Sequence, residues 1–242
     1  MSKLLIVEGS NILKGMFKTL LDAENAFDYQ LVGTYKEAKK LLAQSRYEFA
    51  VVEHKLKDAP HGEIIALFNK HNIAPLIFTS EIDEDFFEAF ESANISDYIL
   101  KEKFNNVASV IKKLKQFQEN KKVTILTVND SHIYTTYLKH NLGLQSFKVI
   151  TTSNNEEALQ KIKLHPELKL MIINNSEPYV NALALIKDIK AEKNAPNLKI
   201  LVLSEETNSY ETATLLNAGA DDYLVKDFSR KEFYVRVYQN TK

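Results

Sequence analysis

Short runs of apolar, β-prone residues alternate with longer amphipathic segments along the whole chain. The strand candidates in the first half are Leu4–Val7, Tyr29–Val32, Phe49–Val52, Leu76–Phe78 and Tyr98–Leu100. Those in the second half are Val123–Val128, Phe147–Thr151, Leu170–Ile173, Ile200–Leu203 and Tyr223–Val225. A strand apolar on both faces suits a parallel sheet covered on both sides. The intervening segments read as helices. Thr34 with Glu37, Ser153 with Glu156 and Ser229 with Glu232 have the spacing of capping boxes, whose side chains satisfy the first unpaired helix amides. Val107, Val110, Ile111 and Leu114 recur at helical spacing and give that segment one buried stripe. Five strand–helix units per half, joined by right-handed crossovers, predict two open, doubly wound α/β sheets in tandem.

The two halves also repeat each other in wording. Ala93-Asn94-Ile95-Ser96-Asp97-Tyr98-Ile99-Leu100-Lys101 returns as Ala218-Gly219-Ala220-Asp221-Asp222-Tyr223-Leu224-Val225-Lys226. Ser10 registers with Ser131 and Glu53 with Asn174 at an offset of 121 residues. Thr79 registers with Ser204, Tyr98 with Tyr223 and Lys101 with Lys226 at an offset of 125. The difference falls in Ala195-Pro196-Asn197-Leu198-Lys199, longer than Ala74-Pro75, where a loop insertion costs little. The expected domains are residues 1–120 and 121–242. No Pro-, Gly- or Ser-rich linker marks the boundary near Asn120-Lys121-Lys122, which favours a fixed interdomain geometry.

Composition narrows the field. The 242 residues are enough for two domains of ordinary size, each with its own core. With no cysteine, disulfides and cysteine-ligated metals are excluded. A net charge of −1 and only three arginines argue against a nucleic-acid binder. No apolar run approaches the roughly 20 residues that span a bilayer, and Met1-Ser2-Lys3 leads straight into a strand rather than a signal peptide. A cytoplasmic protein is expected.

In an open α/β sheet, ligands bind beyond the carboxyl ends of the strands. The residues there are Glu8-Gly9, Glu53, Thr79 and Lys101 in the first half. In the second they are Asn129-Asp130, Asn174, Ser204 and Lys226. Over essentially the whole chain this constellation resembles tandem receiver domains of bacterial response regulators, which are flavodoxin-like (βα)5 folds. Pro178, four residues after Asn174, adds to the resemblance.

The resemblance implies a role for each position: Glu8, Gly9, Asn129 and Asp130 at the acidic pair, Glu53 and Asn174 at the phosphoacceptor. Thr79 and Ser204 are the switch hydroxyls, Tyr98 and Tyr223 the switch aromatics, and Lys101 and Lys226 pair with phosphate. Receiver chemistry needs an Asp nucleophile and Mg²⁺ together. Asn174 is no nucleophile, and the extra methylene of Glu53 displaces its oxygens by roughly 1.5 Å. Gly9 and Asn129 leave each acidic pair incomplete. Both halves are therefore read as pseudo-receivers with no catalytic residue and no assigned cofactor; Glu8, Glu53 and Asp130 are the incomplete Mg²⁺ ligands. A Glu53–Lys101 ion pair would imitate the phosphorylated state.

Blander roles stand beside these. Thr79 and Ser204 can act as helix caps, Tyr98 and Tyr223 as sheet aromatics. Asp58 reads as a turn residue, and His54 and His61 as surface histidines. The lysine-rich Lys101–Lys122 segment reads as a solvated helix face. A family-type association face would draw on Phe86, Phe87, Phe90, Tyr98 and Phe104, and on Tyr210, Leu215, Leu216, Tyr223 and Tyr234. The implied partners are proteins: a histidine kinase or phosphotransfer protein, and a second copy in a homodimer, with neither nucleic acid nor membrane. The expectation is a chain without its output domain that breaks off within its last helix, like the front of a two-receiver diguanylate cyclase. The alternatives are a phosphorylatable, Mg²⁺-dependent receiver, a DNA-binding regulator without its effector, and an unrelated flavodoxin-like enzyme, which lacks a glycine-rich loop.

Overall fold

The computed structural model describes residues 1–82, 84–101, 106–176, 179–192, 196–205 and 208–242. Two compact units emerge, Met1–Gln118 and Glu119–Lys242. In the first, strands β1 (Ser2–Val7), β2 (Phe27–Val32), β3 (Phe49–Val52), β4 (Leu76–Thr79) and β5 (Asp97–Leu100) alternate with helices α1 (Asn11–Glu24), α2 (Tyr35–Gln44), α3 (Glu63–Lys70), α4 (Glu84–Ser92) and α5 (Asn106–Asn120). The second repeats the order with β6 (Thr124–Val128), β7 (Lys148–Thr152), β8 (Leu170–Asn174), β9 (Lys199–Ser204) and β10 (Asp222–Val225). Its helices are α6 (His132–Leu144), α7 (Asn155–Leu164), α8 (Ala182–Glu192), α9 (Ser209–Ala218) and α10 (Arg230–Gln239).

Both sheets are parallel. Their strand orders, β2-β1-β3-β4-β5 and β7-β6-β8-β9-β10, are the same flavodoxin-like winding. The order reverses beside β1 and β6, which sets a crevice above their carboxyl ends. The apolar runs behave as two-sided burial requires. Leu4, Leu5, Ile6 and Val7 are all buried, as are Leu170 to Ile173. Each such side chain removed from water contributes roughly 1.5–3 kcal/mol before entropy is counted. The first core is rich in aromatics: Phe17 meets Phe78 edge-on, and Phe49 lies between Phe27 and Phe117. The corresponding core of the second unit is aliphatic, built on Leu126, Met171, Ile173, Ile186 and Val202.

Side-chain caps fix where the helices begin. Ser10 and Ser131 cap α1 and α6, Thr34 caps α2 and Ser229 caps α10. The box expected at Ser153 and Glu156 forms one residue later: Asn154 Oδ1 accepts from Glu157 N, and Glu157 Oε2 accepts from Ser153 N. Asn offers the same acceptor as Ser at this position, so the spacing alone did not choose between them. Strand ends also move outward by a residue or two, as at Phe27 and Asp97.

Two further expectations change. His54 is buried rather than on the surface, its ring packed edge-on against Phe86 at 5.1 Å. Phe86, Phe90, Leu215 and Tyr234 belong to the interior, so of the proposed association face Phe87, Tyr210 and Leu216 are exposed. Phe104, Pro178 and Ala195 lie outside the described residues. Among the described residues, no helix is long and apolar enough to cross a membrane.

Candidate functional site

The carboxyl ends of β1, β3, β4 and β5 bring Glu8, Gly9, Glu53, Thr79 and Lys101 to one crevice. Glu53 follows β3 directly, its backbone N–H bonded to Val7 O of β1. Lys101 follows β5 and is anchored the same way by its N–H to Thr79 O. From there the Lys101 ammonium reaches both acids, with Nζ 2.6 Å from Glu53 Oε1 and 2.8 Å from Glu8 Oε2. It also lies 5.3 Å from the centre of the Phe78 ring. Glu8 is almost fully buried. Burial raises its carboxyl above the ordinary glutamate value, although Lys101 and the Ser10 N–H pull the other way.

Glu53 and Gly9 fit each other. Gly9 N donates to Glu53 Oε2 at 3.0 Å, and a Cβ on residue 9 would stand only 3.1 Å from that oxygen. The extra methylene of Glu53 thus occupies room that a side chain at position 9 would need. The two departures from the receiver pattern are sterically complementary, a relation that neither residue signals in the sequence.

The switch hydroxyl and aromatic are engaged elsewhere. Thr79 Oγ1 donates to Glu81 O and accepts from Glu81 N, which makes it a turn cap beyond β4. Tyr98 lies among Phe86, Phe87 and Phe90, with ring centroids 5.4, 6.4 and 5.0 Å away and all nearly perpendicular. Burial raises its phenol above the ordinary value, and the neighbouring Asp97 adds to the shift. Asp58 accepts from the N–H groups of Tyr35 and Lys36 and ties the loop after β3 to the start of α2. Those amides hold its carboxyl below the ordinary value, so this acid is a structural anchor.

In the second crevice an amide pair stands where the first has its acid–lysine bridge. Asn174 Nδ2 donates to Asn129 Oδ1 at 2.8 Å, a buried amide–amide bond where the first unit has two acids and a lysine. Asn129 Nδ2 in turn donates to Ser131 O. Asn174 Oδ1 is buried with no hydrogen-bond partner among the described residues. Asp130 accepts from Ser176 Oγ at 2.6 Å. Lys226 turns away from Asn174: its ammonium is 3.0 Å from Glu205 Oε1 and 4.9 Å from the centre of the Tyr134 ring. Ser204 lies near Glu211, with Oγ 3.5 Å from Oε1. Tyr223 packs partly buried against the second core. Glu205 and Tyr134 were not foreseen, since only the fold shows where the lysine goes once its acid is missing. Among the described residues, no cluster of His, Cys, Asp and Glu is arranged to hold a metal ion.

Comparison with known proteins finds a family model for the second unit and similar solved structures. Residues 125–238 match the model described as "Response regulator receiver domain". The chain is 33% identical over 118 residues to the alkaline phosphatase synthesis transcriptional regulatory protein PhoP of Bacillus subtilis, covering 49% of this chain and 47% of PhoP. It is also 33% identical over 120 residues to the probable transcriptional regulator ycf27 of Pyropia yezoensis. The chain spans about half the length of the curated relatives it matches. The solved structure of a putative two-component system response regulator/GGDEF domain protein superposes with a TM-score of 0.82 at 25% identity. That match covers 99% of this chain and 98% of the other.

Proposed function

We propose that the chain, whose second unit matches the receiver family model and whose first repeats the same fold, is a non-enzymatic signalling module of two pseudo-receivers. Each unit works by protein contact and not by accepting a phosphoryl group. The observation that carries this reading is the pair of substituted crevices: Lys101 bridging Glu8 and Glu53 in one, and the Asn129–Asn174 amide pair in the other.

Neither donor set fits the Mg²⁺ that receivers use. Mg²⁺ needs hard oxygen ligands in octahedral array, usually including one or two carboxylates. In the first unit an ammonium already bridges the two carboxylates, and Gly9 offers no side chain. In the second, two neutral amides bind each other and Asp130 is engaged by Ser176. No step through a metal is derived for either unit. In the first, the Glu53–Lys101 pair holds the lysine as a phosphate would, so that unit stays in one signalling state.

Protein partners are favoured by a feature that both repeats keep. Ile12 and Ile133, 121 residues apart, are 67% and 84% exposed on the first turn of α1 and α6, beside the two crevices. A large apolar side chain left in water at the same place twice suits docking. We take the partner to be a histidine kinase or phosphotransfer protein and a second copy of the chain to be the dimer mate, in the cytoplasm. A GGDEF-type output under the module's control is supported by the 25%-identical structural neighbour, itself a putative response regulator/GGDEF domain protein.

Incubation of the intact chain with Mg²⁺ and acetyl phosphate, followed by intact-mass measurement, tests the core of the proposal. No phosphate adduct is expected, and beryllofluoride with Mg²⁺ should leave the amide spectrum unchanged. A mass gain of one phosphate on either unit would overturn it.

A further inference from the structure

At one matched pair of positions the two units part company. In the first, His54 and Phe86 pack ring against ring at 5.1 Å, and Phe86 is fully buried. Counted through the same offsets, their counterparts are Asn175 and Glu211, which also touch: Asn175 Nδ2 donates to Glu211 Oε1 at 2.8 Å. The contact is kept, but an aromatic plug has become a polar pair. Where the plug is missing, a cavity of about 740 Å³ opens between α8 and α9. Its floor carries Asn175, Ser204 and Glu211, its walls Leu183 and Leu215, and Tyr210 stands at its mouth, 79% exposed.

The chemistry of this cavity is one-sided. Glu211 is half-buried and accepts from an amide and, at 3.5 Å, from the Ser204 hydroxyl; no lysine or arginine pairs with it among the described residues. The other acid at the rim, Glu205, is already matched by Lys226. Asn208 caps the start of α9 through the Tyr210 N–H, so that helix end has its own acceptor. What remains is a carboxylate in a partly apolar pocket without a counter-charge among the described residues. A cation there would gain a charge-assisted hydrogen bond while its stem covers Leu183, Leu215 and the Tyr210 ring. The volume falls within the range of ordinary small-ligand sites.

We infer that the α8–α9 cavity of the second unit is a binding site for an ammonium or guanidinium carried on an apolar stem, and that Glu211 is its anchor. It adjoins the substituted crevice and shares Ser204 with it, but binding there does not require that crevice to accept phosphate. The same chemistry can arrive as a free amine or as the lysine or arginine side chain of a partner protein.

Titration of the intact, ¹⁵N-labelled chain with tyramine and with agmatine tests the site, and 4-hydroxyphenylpropionate serves as the control with a carboxylate in place of the amine. Both amines are expected to shift the amides of Asn175, Leu183, Glu211 and Leu215, and the acid to leave them in place. Glu211→Gln keeps the shape and should weaken amine binding by roughly tenfold or more. Asn175→His with Glu211→Phe, which transplants the plug of the first unit, should abolish it. Blocked dipeptides Phe-Lys and Phe-Arg form a second arm: tighter binding than tyramine assigns the site to a partner side chain, and weaker binding to a free amine. Equal binding of the acid, no effect of Glu211→Gln, or no shift at millimolar amine would each overturn the inference.

Discussion

Lys101 Nζ sits 2.6 Å from Glu53 Oε1, whereas Lys226, its counterpart in the repeat, pairs with Glu205. Two things differ between the units: the residue that ends or follows the third strand, and the presence of Glu205 as a partner for Lys226. A carboxylate at that strand end holds the lysine in the crevice; a neutral amide offers no reason to desolvate an ammonium, which goes to an exposed acid and an aromatic face instead. Lys101 is therefore central to the first crevice, and Lys101→Met should be costly because it strands Glu8 and Glu53 side by side without a cation. Breaking a fully buried pair costs about 3–5 kcal/mol. With Glu53 partly exposed, a loss of roughly 2–3 kcal/mol is expected in urea unfolding of the intact chain. Adding Glu53→Gln to Lys101→Met should recover part of it.

Glu8 predicts a pH dependence of definite sign. Burial raises its folded-state carboxyl above the ordinary value of 4.5, so between that value and the folded one the folded chain holds a proton that the unfolded chain has lost. Stability from this group is fully present below pH 4.5 and is lost as pH rises through the folded value. Glu8→Gln removes that slope. Wild type should lose stability relative to Glu8→Gln as pH rises above 4.5, read by urea unfolding across the window. A flat difference would mean that Lys101 compensates the burial fully.

The architecture was legible because two-sided apolar strands and a long internal repeat admit few other arrangements. Every strand candidate became a strand, and both units took the expected winding. The placement of the crevice residues was legible for a related reason: they sit at or directly after the carboxyl ends of strands, where the topology leaves no choice of location. Side-chain direction was not legible. Whether His54 faces water or Phe86 depends on the packing of α4, which lies about 30 residues away in sequence. Likewise the fit of Gly9 to Glu53 needs the pairing of β1 with β3 before it exists. The shift of a capping box from Ser153 to Asn154 shows the limit of local patterns, since adjacent residues offered equivalent acceptors.

The ring stack from His54 through Phe86 and Tyr98 to the half-exposed Phe87 ties the first crevice to the surface of α4. The chain has no tryptophan, so Phe87→Trp supplies a single reporter at that surface. Glu53→Gln releases the charge on Lys101, and Glu53→Asp withdraws the carboxylate by roughly 1.5 Å. Both are expected to move the emission of the introduced tryptophan and to shift self-association measured by sedimentation. In an added His54→Ala background the emission change should shrink, because the stack has lost its first ring. Coupling of this kind requires the cycle of variants and not proximity alone. An identical emission change with and without His54 would rule the stack out as the route.

Asn174→Asp asks whether the second crevice can take its missing acid back. The new carboxylate would replace a side chain that is almost fully buried, facing Asn129 Oδ1, with Lys226 held by Glu205. It loses the 2.8 Å amide bond and gains no cation, so burial should raise its carboxyl above the ordinary aspartate value. The expected cost at neutral pH is roughly 1–3 kcal/mol, the penalty of an unsatisfied buried polar group. That cost should fade as pH drops below the raised value, because the protonated acid can donate to Asn129 as the amide did. Urea unfolding at about pH 7 and at about pH 4 separates the two regimes. If the variant were as stable as wild type at neutral pH, Lys226 would have to leave Glu205 for residue 174, and the lysine's position would be set by the acid alone.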